Sequence, residues 1–85
     1  MLKAELRIKY NDKSFDKTFY AKPNEDTDAG AIQEAAVYFY GVEHEFLSRC
    51  KPNDTLLMSV FDTCGRIIIN GYYASGSINI QDLRK

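Results

Sequence analysis

The strict alternation of residues 2–10 is the feature that most limits what this chain can fold into. Apolar side chains occupy every second position, and charged ones lie between them. The apolar set is Leu2, Ala4, Leu6, Ile8 and Tyr10. A period of two predicts a β-strand with one apolar face and one polar face. Such a strand needs a second layer over its apolar side only.

One segment has the period of an amphipathic helix, and it lies between Pro23 and Pro52. Residues 24–28 precede it with N-cap candidates and acidic side chains, both of which favour a helix N-terminus. Gly41 interrupts the segment, and we expect a kink or a break there. The apolar stripe, spaced every three or four residues, runs through Ala29, Ile32, Ala36, Phe39, then Val42 or Glu43, Phe46 and Cys50.

The remaining segments predict strands. Turn residues at 11–14 join the first strand to residues 15–20, which indicates an antiparallel hairpin. After the helix, residues 55–61 and 66–69 are separated by a turn at 62–65, and the branched run 66–69 is typical of a central strand covered on both faces, or nearly so. Asn70-Gly71 is a strong hairpin signal. It predicts a turn before residues 72–74, and the last strand covers 77–81.

This order predicts an α+β fold in one compact domain spanning residues 1–85. Its sheet is mostly antiparallel with four or five strands, and one long helix packs on one face in the order β-β-α-β-β-β. Several strand orders are compatible with this chain order.

Composition argues against export, metal binding and catalysis. The first residues lack the apolar core of a signal peptide, so we expect a cytoplasmic protein with Cys50 and Cys64 reduced. No apolar run approaches the roughly 20 residues that cross a bilayer. The single histidine, His44, does not share a helix face with Cys50, so we expect neither a metal nor a cofactor. Cys64 lies two residues after Asp62, but no base or cation that would activate its thiol is evident beyond Arg66. We therefore predict that the chain is not an enzyme.

Charge is segregated along the chain, although the formal net charge is only −1. Residues 1–22 have an excess of three positive charges, whereas residues 23–48 contain six acidic residues and no Lys or Arg. The acidic set is Glu25, Asp26, Asp28, Glu34, Glu43 and Glu45. If the helix covers one sheet face, the basic side chains of the hairpin lie on the other. The two signs then face opposite ways, and either pole suits electrostatic steering of a partner. The alternative explanation is that the charges prevent an exposed strand from pairing with another strand and keep the helix surface in contact with water.

Aromatic residues add two groups of candidate contacts. The segment 71–77 combines Tyr72, Tyr73 and Ser75 with glycines, a composition typical of binding loops. The alternative there is an ordinary hairpin with one tyrosine in the core. Tyr38 and Tyr40 flank Phe39 on the helix and point away from its apolar stripe, so we expect at least one to be partly exposed.

These observations favour a small non-enzymatic protein-binding module. We expect an inhibitor encoded by a phage or mobile element and directed against host defence. It would block a host nuclease, toxin or other nucleic-acid-handling protein through its charge-segregated surface. The alternative is an RNA-binding or single-stranded nucleic-acid-binding protein. That alternative would use Lys3, Arg7, Lys9, Lys17 and Tyr20 of the basic hairpin. A weaker third hypothesis is a homodimer formed by pairing of an exposed strand.

Overall fold

A computed structural model describes residues 2–84, so residues 1 and 85 of the predicted domain lie outside the described residues. Within 2–84 there are five strands and one helix. They are β1 (Lys3–Tyr10), β2 (Lys13–Tyr20), α1 (Ala29–Leu47), β3 (Leu56–Phe61), β4 (Ile67–Ala74) and β5 (Ser77–Asp82). All strand pairs are antiparallel in the order β2-β1-β3-β4-β5, and α1 packs on one face. The predicted fold class and element order are confirmed.

The alternation in β1 has the expected consequence. Ala4, Leu6 and Ile8 are buried in the core beneath α1, whereas Arg7 and Lys9 between and after them are exposed. Met58 and Val60 of β3 and Ile69 of β4 extend the same buried layer across the sheet. Each large apolar side chain removed from water contributes roughly 1.5–3 kcal/mol, so this single layer is the main source of stability.

Helix α1 approaches the sheet closely because alanines line its inner side. Ala31, Ala35 and Ala36 are buried with Phe39, whereas Ala29 of the predicted stripe is exposed. The predicted break at Gly41 is wrong, since α1 continues through that residue to Leu47. Gly41 lies on the exposed side, where a missing side chain costs helix propensity but no packing. Among residues 2–84 there is no helix with both the length and the apolarity needed to cross a bilayer.

The predicted turn at Asn70-Gly71 is also wrong, because β4 runs straight through both residues. The turn lies at Ser75 and Gly76 instead, where both residues have positive φ angles, 52° and 84°. This backbone conformation is typical of a two-residue type I′ turn. Gly71 serves packing: a Cβ atom there would lie 3.0 Å from Cζ of the buried Phe39 ring.

Strand β4 is covered on one face only, contrary to the prediction for residues 66–69. Ile69 is fully buried under α1, whereas Ile67, which a bulge in the β3–β4 pairing places opposite Phe61 on the other face, is 43% exposed. Strand β3, not β4, occupies the middle of the sheet. The branched run therefore does not identify a strand covered on both sides, because the chain described here has one helix and that helix covers one face.

We expect Gly71→Val to lower the free energy of unfolding by about 1–3 kcal/mol, because the new side chain must displace the buried Phe39 ring. The matched control is Gly41→Ala, whose Cβ meets no atom within 4 Å and which should add roughly 0.5–1 kcal/mol. Urea denaturation followed by circular dichroism measures both. Unchanged stability in Gly71→Val would contradict the packing role of this glycine.

Candidate functional site

The face of the sheet opposite α1 is uncovered, and strand register determines which side chains it presents. We call this surface the open face. Cross-strand partners share a face, so the register places polar, basic and apolar side chains together on it. It includes Lys3, Glu5, Arg7, Lys9, Ser14, Asp16, Thr18, Tyr20, Leu57, Ser59, Phe61, Ile67, Asn70, Tyr72, Asn79 and Gln81.

The apolar side chains of the open face are concentrated on its interior strands β3 and β4. Leu57 and Tyr72 are direct cross-strand partners, and each is about half exposed, at 47% and 49%. The Arg7 guanidinium lies 4.9 Å from the ring centroid of Phe61, a cation–π distance. A shallow depression of about 370 Å³ lies between Arg7, Leu57 and Phe61. Exposed apolar groups beside Arg and Tyr are typical of protein interfaces.

A row of polar side chains crosses the open face between the Leu57–Tyr72 pair and Phe61. The buried Ser59 hydroxyl donates a 2.8 Å hydrogen bond to Oδ1 of Asn70, which orients the amide. Gln81 is the cross-strand partner of Asn70, and Asn79 is the partner of Tyr72. Such amides provide both donors and acceptors to a partner surface.

The open face is less basic than the sequence suggested. Lys3, Arg7 and Lys9 lie on it as expected, but Arg7 forms an ion pair with Glu5 and faces Asp16 across the strands. The hydrogen bond with Glu5 raises the pKa of Arg7 above its ordinary value, and the charge of Glu5 adds to this. Only one positive charge remains in excess among these five residues.

Lys17 does not join the basic side chains of the open face. It is the cross-strand partner of Leu6 and therefore lies on the helix side of the sheet. Its ammonium lies 5.3 Å from the ring centroid of Tyr38 and 5.5 Å from that of Phe19. Tyr20 does lie on the open face, paired with Lys3, and is 58% exposed.

The acidic residues do not form one continuous patch. Asp28 accepts a 2.9 Å hydrogen bond from the backbone N–H of Thr63, so it helps attach the start of α1 to the β3–β4 turn. Glu43 is partly buried, and Glu45 pairs with Arg49 at 2.7 Å. Glu34 is exposed on α1 and lies 11 residues, about three turns, before Glu45. Glu25 and Asp26 are exposed in the segment before the helix.

The candidate tyrosines do not share one surface. Tyr38 and Tyr40 are both exposed, at 45% and 38%, and Tyr40 donates a 2.9 Å hydrogen bond to Asp82. Tyr72 lies on the open face, whereas Tyr73 packs against the core on the helix side. The predicted loop 71–77 is therefore mostly strand, and only Ser75 and Gly76 form its turn.

The sequence analysis missed Leu57, Phe61 and their polar neighbours. A signal for Leu57 was present: it lies between Leu56 and Met58, and if both of these face the core then Leu57 faces away from it. Nothing in the sequence shows that Phe61 lies beneath Arg7, because that contact depends on the pairing of β1 with β3.

Asp62 has a structural role in the turn that follows β3. It is buried and accepts hydrogen bonds from the backbone N–H groups of Cys64 and Arg66 and from Nε of Arg66. Burial alone would raise its pKa, but the hydrogen bonds from Arg66 outweigh burial and lower the pKa below 3.8. Cys64 is free and exposed, and Cys50 is free with a thiol pKa raised by burial. Across residues 2–84 no three His, Cys, Asp or Glu side chains form a group that could hold a metal ion.

Comparison with known proteins adds nothing to this surface. A scan against family models and searches of curated proteins and solved structures found no match to the chain. The site therefore rests on its own geometry.

We expect Asp62→Asn to destabilise the fold at neutral pH by about 1–3 kcal/mol, because a charged acceptor of three hydrogen bonds is lost. Since the pKa of Asp62 is lowered by folding, its contribution is present above pH 3.8 and is lost as the pH falls below that value. As the pH is lowered from neutral to acidic, the free energy of unfolding should therefore decrease less for Asp62→Asn than for the native chain. Thermal unfolding at several pH values tests this, with the exposed Asp26→Asn as the control; parallel curves for Asp62→Asn and the native chain would contradict it.

Proposed function

We propose that this chain is a protein-binding module and that the open face is its contact surface. The observation that carries the proposal is the exposed Leu57–Tyr72 pair on the interior strands β3 and β4 of the open face. Burial of apolar surface is favourable by about 25 cal/mol per Å². Covering Leu57 and Tyr72 with a partner would therefore contribute favourable free energy to binding.

The composition of the open face favours a protein partner. Tyr and Arg are enriched in protein interfaces, and Tyr with Ser and Asn dominates surfaces selected to bind proteins. Here Tyr72 and the Arg7–Phe61 stack lie beside the hydrogen-bonded Ser59–Asn70 pair. Rigid aromatic groups thus lie next to adaptable polar groups, a combination typical of surfaces that bind proteins.

Nucleic acid remains the alternative partner, and one observation favours it. Lys3, Lys9, Tyr20 and Tyr72 share the open face, so phosphate contacts and base stacking could occur together. Against it, Glu5 and Asp16 offset two of the positive charges on that face. Nucleic-acid affinity depends strongly on neutralising several phosphates, and this face has little surplus charge for that.

The inhibitor role remains a prediction within this proposal. The exposed acidic residues Glu25, Asp26 and Glu34 lie in or before α1, on the opposite side of the sheet from the open face. A basic partner, such as a nucleic-acid-handling protein, would be steered by these charges. A contact through this side would leave the open face free, so variants on the two sides distinguish the two modes of binding.

We expect Tyr72→Ala to weaken binding of a protein partner at least about 30-fold, as for an aromatic residue that contributes some 2 kcal/mol at an interface centre. The partner is captured on the immobilised chain after nuclease treatment, purified, and titrated by calorimetry against each variant. The control is Val37→Ala, which truncates an apolar side chain that is 65% exposed on the outer side of α1 and should leave the affinity unchanged.

Two other results would contradict the proposal. If reversal of Glu25, Asp26 and Glu34 to lysine abolishes binding while Tyr72→Ala does not, the contact surface is the acidic side. If capture requires nucleic acid and declines steeply with salt, the chain acts through nucleic acid.

A further inference from the structure

The two edges of the sheet differ in how well they are protected against pairing with another strand. Strand β2 forms one edge and carries Lys13, Asp16 and Lys17, charges of the kind that discourage pairing. Strand β5 forms the other edge, and its residues 77–81 read Ser-Ile-Asn-Ile-Gln without charge, proline or glycine. Only β5 is therefore suited to accept another strand.

Hydrogen-bond alternation shows which backbone groups of β5 face outward. The two-residue turn makes Ala74 and Ser77 a hydrogen-bonded pair, and in an antiparallel ladder such pairs recur at every second residue. The backbone of Asn79 thus faces β4. The N–H of Leu83 donates to the carbonyl of Ile68, which agrees with this alternation. The N–H and C=O groups of Ile78 and Ile80 consequently face away from the sheet.

The sequence of β5 is complementary to itself about Asn79. When two copies run antiparallel with Asn79 opposite Asn79, Ile78 of each copy lies opposite Ile80 of the other. Those pairs are the outward-facing ones, so they exchange both of their N–H···O hydrogen bonds. Ile78 and Ile80 are partly buried at the margin of the core, and pairing would cover their exposed remainder. No charged pair opposes this register, since Ser77 faces Gln81.

We propose that β5 pairs antiparallel with β5 of a second copy of this chain, centred on Asn79, to form a continuous ten-stranded sheet. The pairing does not depend on the proposed protein-binding role, because it uses the edge and not the open face. It would nevertheless join the two open faces. Tyr72 lies beside Asn79, so the two Tyr72 residues would be separated by three strand spacings, about 14 Å.

The first test is the mass in solution of the native chain and of charged variants, measured by sedimentation equilibrium up to millimolar concentration. We expect a native dimer of twice 9.7 kDa. Asn79→Lys places two ammonium groups opposite each other and should raise the dimer dissociation constant by about five-fold. The control Gln81→Lys adds the same charge on the same strand, where it faces Ser77 of the second copy, and should have a smaller effect. A native chain that stays monomeric would overturn the proposal.

The second test fixes the register by cross-linking, in a Cys64→Ser background that removes the exposed thiol. Paired residues that are not hydrogen-bonded have Cα atoms about 4.5 Å apart, within disulfide reach. Asn79→Cys should therefore give a disulfide-linked dimer on oxidation, and Ser77→Cys should not. A dimer without this cross-link would overturn pairing at Asn79, and circular dichroism of each variant confirms that it folds.

Discussion

The contact between Phe39 and Gly71 determines how closely the helix lies on the sheet. The ring is fully buried, and it occupies the space that a side chain at residue 71 would need. Ala31 and Ala35 allow the same close approach along the helix. With one helix available within residues 2–84, this contact also determines that one face of the sheet is covered and the other is not.

The uncovered face follows from that arrangement, and its chemistry is mixed. Leu57 and Tyr72 leave apolar area in water, while the Glu5–Arg7 ion pair reduces the positive charge beside them. Long-range electrostatics alone would therefore give this face little selectivity for nucleic acid. The proposed recognition of a protein therefore depends on short-range packing and hydrogen bonding.

The proposed binding at the open face and the proposed pairing at β5 would use different parts of the same sheet. Side chains above the sheet carry the first, and backbone groups at its edge carry the second. Both surfaces depend on the hairpin turn at Ser75 and Gly76. The two-residue length of this turn fixes the register of β5 on β4, and this register places the Asn79 side chain on the open face and directs the Asn79 backbone groups toward β4. The exposed acidic residues Glu25, Asp26 and Glu34 lie in or before α1 and belong to neither surface.

The sequence by itself determined the element order and the one-sided sheet, because the periods of two and 3.6 residues report which side of each element is apolar. It also placed Lys3, Arg7 and Lys9 opposite the helix. Only the tertiary structure decided that Asn70 and Gly71 continue a strand, since the space taken by Phe39 outweighs the local turn preference. It likewise decided that Lys17 lies apart from the other basic residues and that Arg7 stacks on Phe61. Strand order and register bring together residues far apart in the chain, and no local pattern encodes that pairing.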